Sequence, residues 1–234
     1  MSTEPEFSYD EIADGYAAGV ETAPYNALYE RPAMLAMMPP VDGLRVLDAG
    51  CGSGLYCELL LDRGARVTGM DQSARMLEHA RRRLAGRDVD LRQADLRDPL
   101  PFANASFDAV VSALALHYVR DWAPMLVELR RVLRPDGWLQ FSTGHPAADV
   151  NHYDPARYLD VEAREDMIDW AGRVRFYRRP LSRIVNDLAD TGFAIERMEE
   201  PEPTEAFRRL KPQAYARIAR QPEFLFIRAR PWGR

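Results

Sequence analysis

Apolar residues in the middle of the chain recur in short runs, and segments of helical periodicity separate these runs. Aliphatic runs lead to Asp48, Asp71 and Asp95, and a fourth run covers residues 107–112. Between and after them, apolar positions recur at helical spacing, most clearly over residues 125–133. This alternation predicts a doubly wound α/β fold with helices on both faces of a parallel sheet and right-handed crossovers. Because the carboxyl ends of parallel strands form one edge, the three aspartates predict a ligand site there.

The flanks of this core carry other signals. Residues 7–38 predict helices that stop at Pro39-Pro40. Residues 144–180 are polar, aromatic and rich in arginine, and this stretch is too long for a passive loop. Further along, the pattern predicts a helix over 181–188, strands over 193–198 and 223–230, and a surface connection over 199–212.

Gly50, Gly52 and Gly54 predict a tight turn between the first strand and the next helix. Glycine has no Cβ and tolerates positive φ, so the backbone of such a turn can lie against a ligand. A dinucleotide-binding turn would have its third glycine at position 55, which is Leu55 in this chain. An acidic residue about 20 positions further on, here Asp71, is the usual partner of a ribose. The turn therefore predicts a nucleotide-like ligand without specifying it.

Composition narrows the classes of partner. The chain has 234 residues, 47% of them hydrophobic, and a net charge of −5. This acidic balance does not favour nucleic-acid binding, and the lack of an apolar run of about 18 residues predicts no membrane span. The N-terminal stretch is acidic and has no apolar signal core, so we expect a cytoplasmic location. Cys51 and Cys57 are expected to be reduced thiols, and their spacing predicts no metal site.

Four motifs occur in order through the core. They are VLDAGCGSG at 46–54, VTGMDQSARML at 67–77, QADLRDPLPFANASFDAVVS at 93–112 and LRRVLRPDGWLQFS at 129–142. In these motifs the chain resembles the class I S-adenosylmethionine (SAM) dependent methyltransferases of the type-11, ubiquinone-biosynthesis-like group, and the resemblance covers residues 41–143. It implies a Rossmann-like sheet of seven strands in the order 3-2-1-4-5-7-6, with strand 7 antiparallel. Residues 193–198 and 223–230 would supply strands six and seven.

The resemblance also implies a set of SAM-binding residues. The turn from Gly50 to Gly54 would hold the methionine part of SAM, and Asp71 would accept hydrogen bonds from the ribose hydroxyls. Asp95 would accept from the adenine amino group, with the backbone of Leu96 beside it. The other expected cofactor contacts are Tyr16, Tyr25, Asp48, Cys51, Gly52, Gln72, Met76, Ser112, Ala113 and His117.

A methyl acceptor would lie beyond the carboxyl edge of the sheet, over the methyl group of SAM. Residues 7–38 and 144–180 can reach that space, and we expect them to form a lid that excludes water. His145 and His117 are the candidate catalytic bases, because an unperturbed histidine titrates near neutral pH; His152 is a third candidate. The acidic charge and the short lid favour a small-molecule acceptor.

The expected organisation is one methyltransferase domain over residues 1–234. Its parts are a helical lid segment (7–38), a SAM-binding core (41–143), a lid insertion (144–180), and a C-terminal helix with strands six and seven (181–234). Other functions stay open on the sequence alone: a non-catalytic SAM- or nucleotide-binding module or partner subunit, a nicotinamide-linked oxidoreductase, or an enzyme with a protein or RNA acceptor. The sequence indicates neither the acceptor atom nor the oligomeric state.

Overall fold

A computed structural model of the chain describes residues 9–153 and 157–233. Nine strands lie within these ranges, and seven of them form one sheet. The strands are β1 (Arg45–Ala49), β2 (Arg66–Asp71), β3 (Val89–Gln93), β4 (Phe107–Ala113), β5 (Leu133–Gly144), β6 (Glu162–Ile168), β7 (Gly172–Arg178), β8 (Phe193–Glu199) and β9 (Phe224–Pro231).

Nine α-helices lie in the same described ranges, and none of them is long and apolar enough to cross a membrane. Short 3₁₀ turns cover Tyr9–Glu11 and Leu116–Tyr118, and a π-helical turn covers Asn26–Glu30. The helices are α1 (Ala13–Gly19), α2 (Arg31–Met37), α3 (Leu55–Leu61), α4 (Ala74–Arg83), α5 (Trp122–Val132), α6 (Pro146–Tyr153), α7 (Leu181–Asp190), α8 (Glu205–Leu210) and α9 (Pro212–Ile218).

The large sheet has the strand order β3-β2-β1-β4-β5-β9-β8. The strands from β3 to β5 pair in parallel, and β9 is antiparallel to both of its neighbours. Strands β8 and β9 occupy the positions of strands six and seven, so the predicted order and the antiparallel strand are confirmed. The parallel register places Ala49 beside Met70, and the ends of β1 and β2 therefore lie at the same edge.

Helices cover both faces of this sheet, which explains why its central strands read as continuous apolar runs. Val46 and Leu47 of β1 are both fully buried, but they belong to different hydrophobic clusters. Leu47 lies in the cluster of α5 and α7, with Trp122 and Leu188. Val46 lies in the cluster of α2, α3 and α4, with Leu60. Successive residues of a strand point to opposite faces, and here each face has its own core.

Residues 144–180 contain more regular structure than the pattern predicted. They form helix α6 and an antiparallel hairpin of β6 and β7, which is a small sheet of its own. The tip of the hairpin packs on α1 at Gly15 and Gly19. A Cβ added at Gly19 would lie 2.2 Å from the Trp170 ring, and one at Gly15 would lie 3.2 Å from the backbone of Ala171. These two glycines, which we refer to as the glycine notch, therefore admit the tip of the hairpin.

Helix α8 lies within the predicted surface connection over 199–212. The hydroxyl of Thr204 accepts a hydrogen bond from the backbone N–H of Phe207 and caps the helix. Phe207 is fully buried and packs against Tyr25 and Tyr29. A favourable cap and one buried aromatic ring are enough to form a helix in a segment whose proline and glutamate content favours a loop.

Candidate functional site

A cavity of about 440 Å³ opens at the carboxyl edge of the sheet, beyond the ends of β1, β2, β3 and β4. We refer to it as the strand-end cavity. Each of these strands supplies lining residues at or just after its last position, because parallel strands end together at this edge. The predicted cofactor contacts that line it are Tyr16, Gly50, Gly52, Asp71, Gln72, Met76, Asp95, Leu96 and Ala113.

The glycine turn forms one wall of this cavity, and its three glycines all have positive φ. At Gly50 a Cβ would lie 2.4 Å from the Cβ of Ala115, so only glycine lets the loop after β4 approach the turn. At Gly52 a Cβ would meet nothing within 4 Å, so this glycine leaves the cavity wall open. Gly54 does not line the cavity. A Cβ at this position would lie 3.0 Å from the Cβ of Ala80, so glycine lets the start of α3 pack closely on α4. The third glycine therefore serves helix packing.

Asp71 ends β2 and is held against the glycine turn. Its carboxylate accepts hydrogen bonds from the backbone N–H groups of Gly52, at 2.8 Å, and Ser73, at 2.9 Å. Burial raises the pKa of Asp71 to about 6, and these two hydrogen bonds oppose that rise. The carboxylate is thus fixed in one orientation at the cavity wall, where it can accept from paired hydroxyl groups.

Asp95 follows β3 and lies in a polar cluster at the mouth of the strand-end cavity. It accepts from the backbone N–H of Arg97 at 2.8 Å and also forms an ion pair with that guanidinium. The same guanidinium donates to the side-chain oxygen of Gln72 at 3.1 Å. Partial burial raises the pKa of Asp95. Arg97, which the sequence reasoning missed, therefore orients two of the predicted cofactor contacts.

Three other predicted contacts lie behind the glycine turn and do not line the strand-end cavity. The buried carboxylate of Asp48 accepts from the Cys57 thiol at 3.2 Å, and burial raises the pKa of Asp48 to about 7. The hydroxyl of Ser112 donates to the carbonyl of Ala49 at 2.7 Å. Cys51 is also buried. In the structure these side chains support the turn, and their predicted contacts with a cofactor stay predictions.

His145 lines neither this cavity nor the second one described below. Its Nδ1 accepts a hydrogen bond from the backbone N–H of Ala147 at 3.0 Å, and its Nε2 pairs with the carboxylate of Glu200. One ring nitrogen therefore holds the start of α6 and the other pairs with Glu200, so the geometry does not support a catalytic role for His145. The side chain of His152 lies outside the part of the chain that the structure describes.

A second cavity, of about 530 Å³, lies beside the first and is rich in aromatic rings. We refer to it as the aromatic cavity. The β7 strand separates the two spaces, since Arg175 lines the strand-end cavity while Val174 and Phe176 line the aromatic cavity. This follows from the alternation of side chains along a strand. Nothing in the local sequence marks these residues, because only the hairpin brings them to the site.

His117 and Tyr25, both predicted as cofactor contacts, line the aromatic cavity and not the strand-end cavity. The hydroxyl of Tyr25 accepts from Arg217 at 3.0 Å. Burial, with the nearby charge of Arg179, lowers the pKa of His117 to about 3, so the imidazole is neutral at physiological pH. Its buried Nδ1 has no hydrogen-bond partner among the described residues. Tyr118, which neighbours His117 and lines both cavities, was missed by the sequence reasoning.

Comparison with known proteins identifies the class of this site. Residues 47–141 match the family model described as a methyltransferase domain. A crystal structure of a SAM-dependent methyltransferase from Mesorhizobium loti is 32% identical, covers 91% of this chain and 100% of that one, and has a TM-score of 0.72. The chain therefore belongs to the class I SAM-dependent methyltransferases, as its motifs predicted, and SAM is the cofactor of this family.

Two relatives with named activities match the core. The ubiquinone biosynthesis O-methyltransferase of Methylocella silvestris is 37% identical over 57% of this chain and 50% of its own length. The malonyl-[acyl-carrier protein] O-methyltransferase of Enterobacter lignolyticus is 41% identical over 51% of this chain and 47% of its own length. The chain thus spans about half the length of each of these relatives.

The residues of the strand-end cavity fit SAM. The open wall at Gly52 leaves room for a ligand against the backbone, and the carboxylates of Asp71 and Asp95 are acceptors for hydroxyl and amino groups. Within the described residues, no group of histidine, cysteine, aspartate and glutamate side chains could hold a metal ion.

Proposed function

We propose that the chain transfers the methyl group of SAM to a small-molecule acceptor by in-line displacement and releases S-adenosylhomocysteine. The observation that carries this proposal is the wall shared by the two cavities, to which Tyr9, Tyr16 and Tyr118 all contribute. An acceptor in the aromatic cavity would lie next to the cofactor in the strand-end cavity. The volume of the aromatic cavity, about 530 Å³, suits a small molecule.

When bound, SAM supplies a methyl group that its sulfonium has already activated. The protein therefore has to place the acceptor and exclude water. The rings of Tyr16, Trp170 and Phe176 line the aromatic cavity and favour a flat or apolar acceptor. Both relatives described above are named O-methyltransferases, which favours an oxygen atom as the acceptor here too.

His117 is the side chain best placed to orient such an acceptor. It lines the aromatic cavity and stays neutral, because burial lowers its pKa to about 3. A neutral imidazole can hydrogen-bond to an acceptor hydroxyl, but a group with so low a pKa is a weak proton acceptor. We therefore assign His117 a role in orientation. Its ring lies 4.4 Å from that of Tyr118, whose hydroxyl hydrogen-bonds to Tyr9 at the shared wall.

The predicted lid is supported by the position of its two segments. The N-terminal segment contributes Tyr9 and Tyr16 to both cavities, and the hairpin contributes Trp170 and Tyr177 to the aromatic cavity. The two segments meet where Trp170 packs on Tyr16, with ring centroids 5.3 Å apart. Closure of this contact would shield the transferring methyl group from water. The single-domain organisation over 1–234, the cytoplasmic location and the lack of a nucleic-acid partner stay predictions.

A labelling experiment tests the proposal. Purified protein with SAM labelled in its methyl group is given either a small-metabolite fraction or a protein and RNA fraction from the source organism. We expect label in the small metabolites. Val174→Trp, which fills the aromatic cavity, should abolish labelling and leave S-adenosylhomocysteine binding intact. Val127→Trp, on the exposed face of α5, is the matched control. Label in protein or RNA, or undiminished labelling by Val174→Trp, would contradict the proposal.

A further inference from the structure

The aromatic cavity extends along the sheet beyond the strands that border the strand-end cavity. In the sheet, β5 lies next to β4, and β9 lies next to β5. Neighbouring strands are about 4.8 Å apart, so β9 lies roughly 10 Å from β4. We refer to the part of the aromatic cavity over β5 and β9 as the remote end. Its lining residues, none of which lines the strand-end cavity, include Tyr25, Thr143, Arg217, Glu223 and Phe224.

Thr143 brings to the remote end a hydroxyl that the fold does not use. The residue is only 3% exposed and lines the aromatic cavity. Its hydroxyl has no hydrogen-bond partner among the residues that the structure describes, whereas the hydroxyl of the neighbouring Ser142 donates to Glu30 at 2.7 Å. Because a buried hydroxyl without a partner is unfavourable, a polar group of a ligand is its natural complement.

Tyr25 brings a second hydroxyl to the remote end. Its oxygen accepts a hydrogen bond from Arg217 at 3.0 Å. Burial raises the pKa of Tyr25, so the hydroxyl keeps its proton. Within residues 9–153 and 157–233 nothing accepts that proton, which leaves it for a ligand. Both hydroxyls can therefore donate to the same kind of group, an oxygen atom with free lone pairs.

The charges at the remote end compensate each other. Arg217 forms an ion pair with Glu223, and both line the aromatic cavity. A charged ligand group would have to compete with this pair and would also lose its own hydration. The ring of Phe224 adds apolar surface beside the pair. The remote end therefore suits an uncharged oxygen group, such as a hydroxyl or a carbonyl, on an otherwise apolar molecule.

We propose that the methyl acceptor carries two oxygen groups, and that Thr143 and Tyr25 bind the one that does not react. The reacting group would lie at the wall shared with the strand-end cavity, and the second, an uncharged hydroxyl or carbonyl, at the remote end, roughly 5–10 Å away. This inference rests on the proposed function, in which the aromatic cavity holds the acceptor. It makes Thr143 and Tyr25 determinants of acceptor specificity.

Calorimetry on the S-adenosylhomocysteine complex tests the proposal with phenols that differ only at the end away from the phenolic hydroxyl. The one-ring pair is 4-hydroxybenzyl alcohol and 4-ethylphenol, and the two-ring pair is 4′-hydroxymethyl-4-biphenylol and 4′-ethyl-4-biphenylol. In at least one pair the alcohol should bind roughly 3- to 10-fold more tightly, the range for a hydrogen bond between neutral groups. Thr143→Val should remove this preference without weakening the ethyl compound, and Tyr25→Phe should reduce it.

Thr68→Val is the matched control, because Thr68 lies in β2 of the same sheet and lines neither cavity. It should leave the preference for the alcohol unchanged. Equal affinities within both pairs, no saturable binding of any of the four compounds, or a preference that Thr143→Val retains would overturn the proposal. Calorimetry involves no methyl transfer, so its outcome is separate from that of the labelling experiment that tests the proposed function.

Discussion

The contact between the hairpin and α1 gives a sharp test of the lid. Gly19→Ala would place a Cβ 2.2 Å from the Trp170 ring, so the ring has to leave the glycine notch. The backbone of Gly19 is not in the left-handed region, and alanine is favoured over glycine in a helix by about 1 kcal/mol. The substitution should therefore stabilise α1 itself and act only on the docking of the hairpin.

The size of the effect follows from the contact that is lost. A tryptophan side chain buries about 150–250 Å² when fully covered. Trp170 is partly exposed, and if displacement uncovers half of that area, the loss at about 25 cal/mol per Å² is ~2–3 kcal/mol. The ring contact with Tyr16 adds about 0.5–1.5 kcal/mol. Because a displaced ring remains partly buried elsewhere, we expect the free energy of docking of the hairpin on α1 to fall by ~2 kcal/mol. This corresponds to about 30-fold in the closing equilibrium of the lid.

Hydrogen exchange measures the closing equilibrium of the lid and requires no methyl acceptor. With S-adenosylhomocysteine bound, amides of β6 and β7 should exchange roughly 30-fold faster in Gly19→Ala than in the wild type, while those of β1 and β4 should not change. Ala18→Ser, at an exposed position one residue earlier, is the control and should have no effect. Unchanged exchange in the hairpin would refute the reasoning, because it would mean that the notch does not hold the lid closed.

Four further predictions concern the cofactor site and His145. Asp71 accepts hydrogen bonds from ribose hydroxyls better when it is ionised, and its pKa is about 6. The affinity for S-adenosylhomocysteine, measured by calorimetry, should therefore fall about tenfold from pH 7 to pH 5. Asp71→Asn should remove this pH dependence. The same raised pKa makes this carboxyl stabilise the free protein most below about pH 4, and that contribution should be lost as the pH rises through about 6 in denaturant titrations. Gly50→Ala, which combines a positive φ with a 2.4 Å contact to Ala115, should abolish S-adenosylhomocysteine binding; retained binding would contradict the fit of the turn. His145→Ala removes the hydrogen bond that caps α6 and the pair with Glu200, so it should lower the free energy of unfolding by about 1 kcal/mol. It should leave the rate of methyl transfer unchanged. Slower transfer at full stability would support a catalytic role for His145.

The sequence by itself determined the core of this protein. Alternating apolar runs and helical stripes are local signals, and parallel strands with crossover helices leave few ways to arrange them. The aspartates that end successive strands had to meet at one edge, so Asp71 and Asp95 could be predicted as neighbours of the turn at Gly50 and Gly52. The motifs then predicted the family and the strand order, including the antiparallel β9.

Only the tertiary structure decided which residues from outside the core reach the site. Trp170 has no local signal, because its contact with Tyr16 depends on where the hairpin lies against the N-terminal segment. Phe176 and Arg175 face different cavities only because the hairpin folds over the strand ends. His145 was a reasonable catalytic candidate from its position after β5, yet its ring turns to the start of α6. Periodicity records which face of an element is buried, but it does not record which distant segment covers that face.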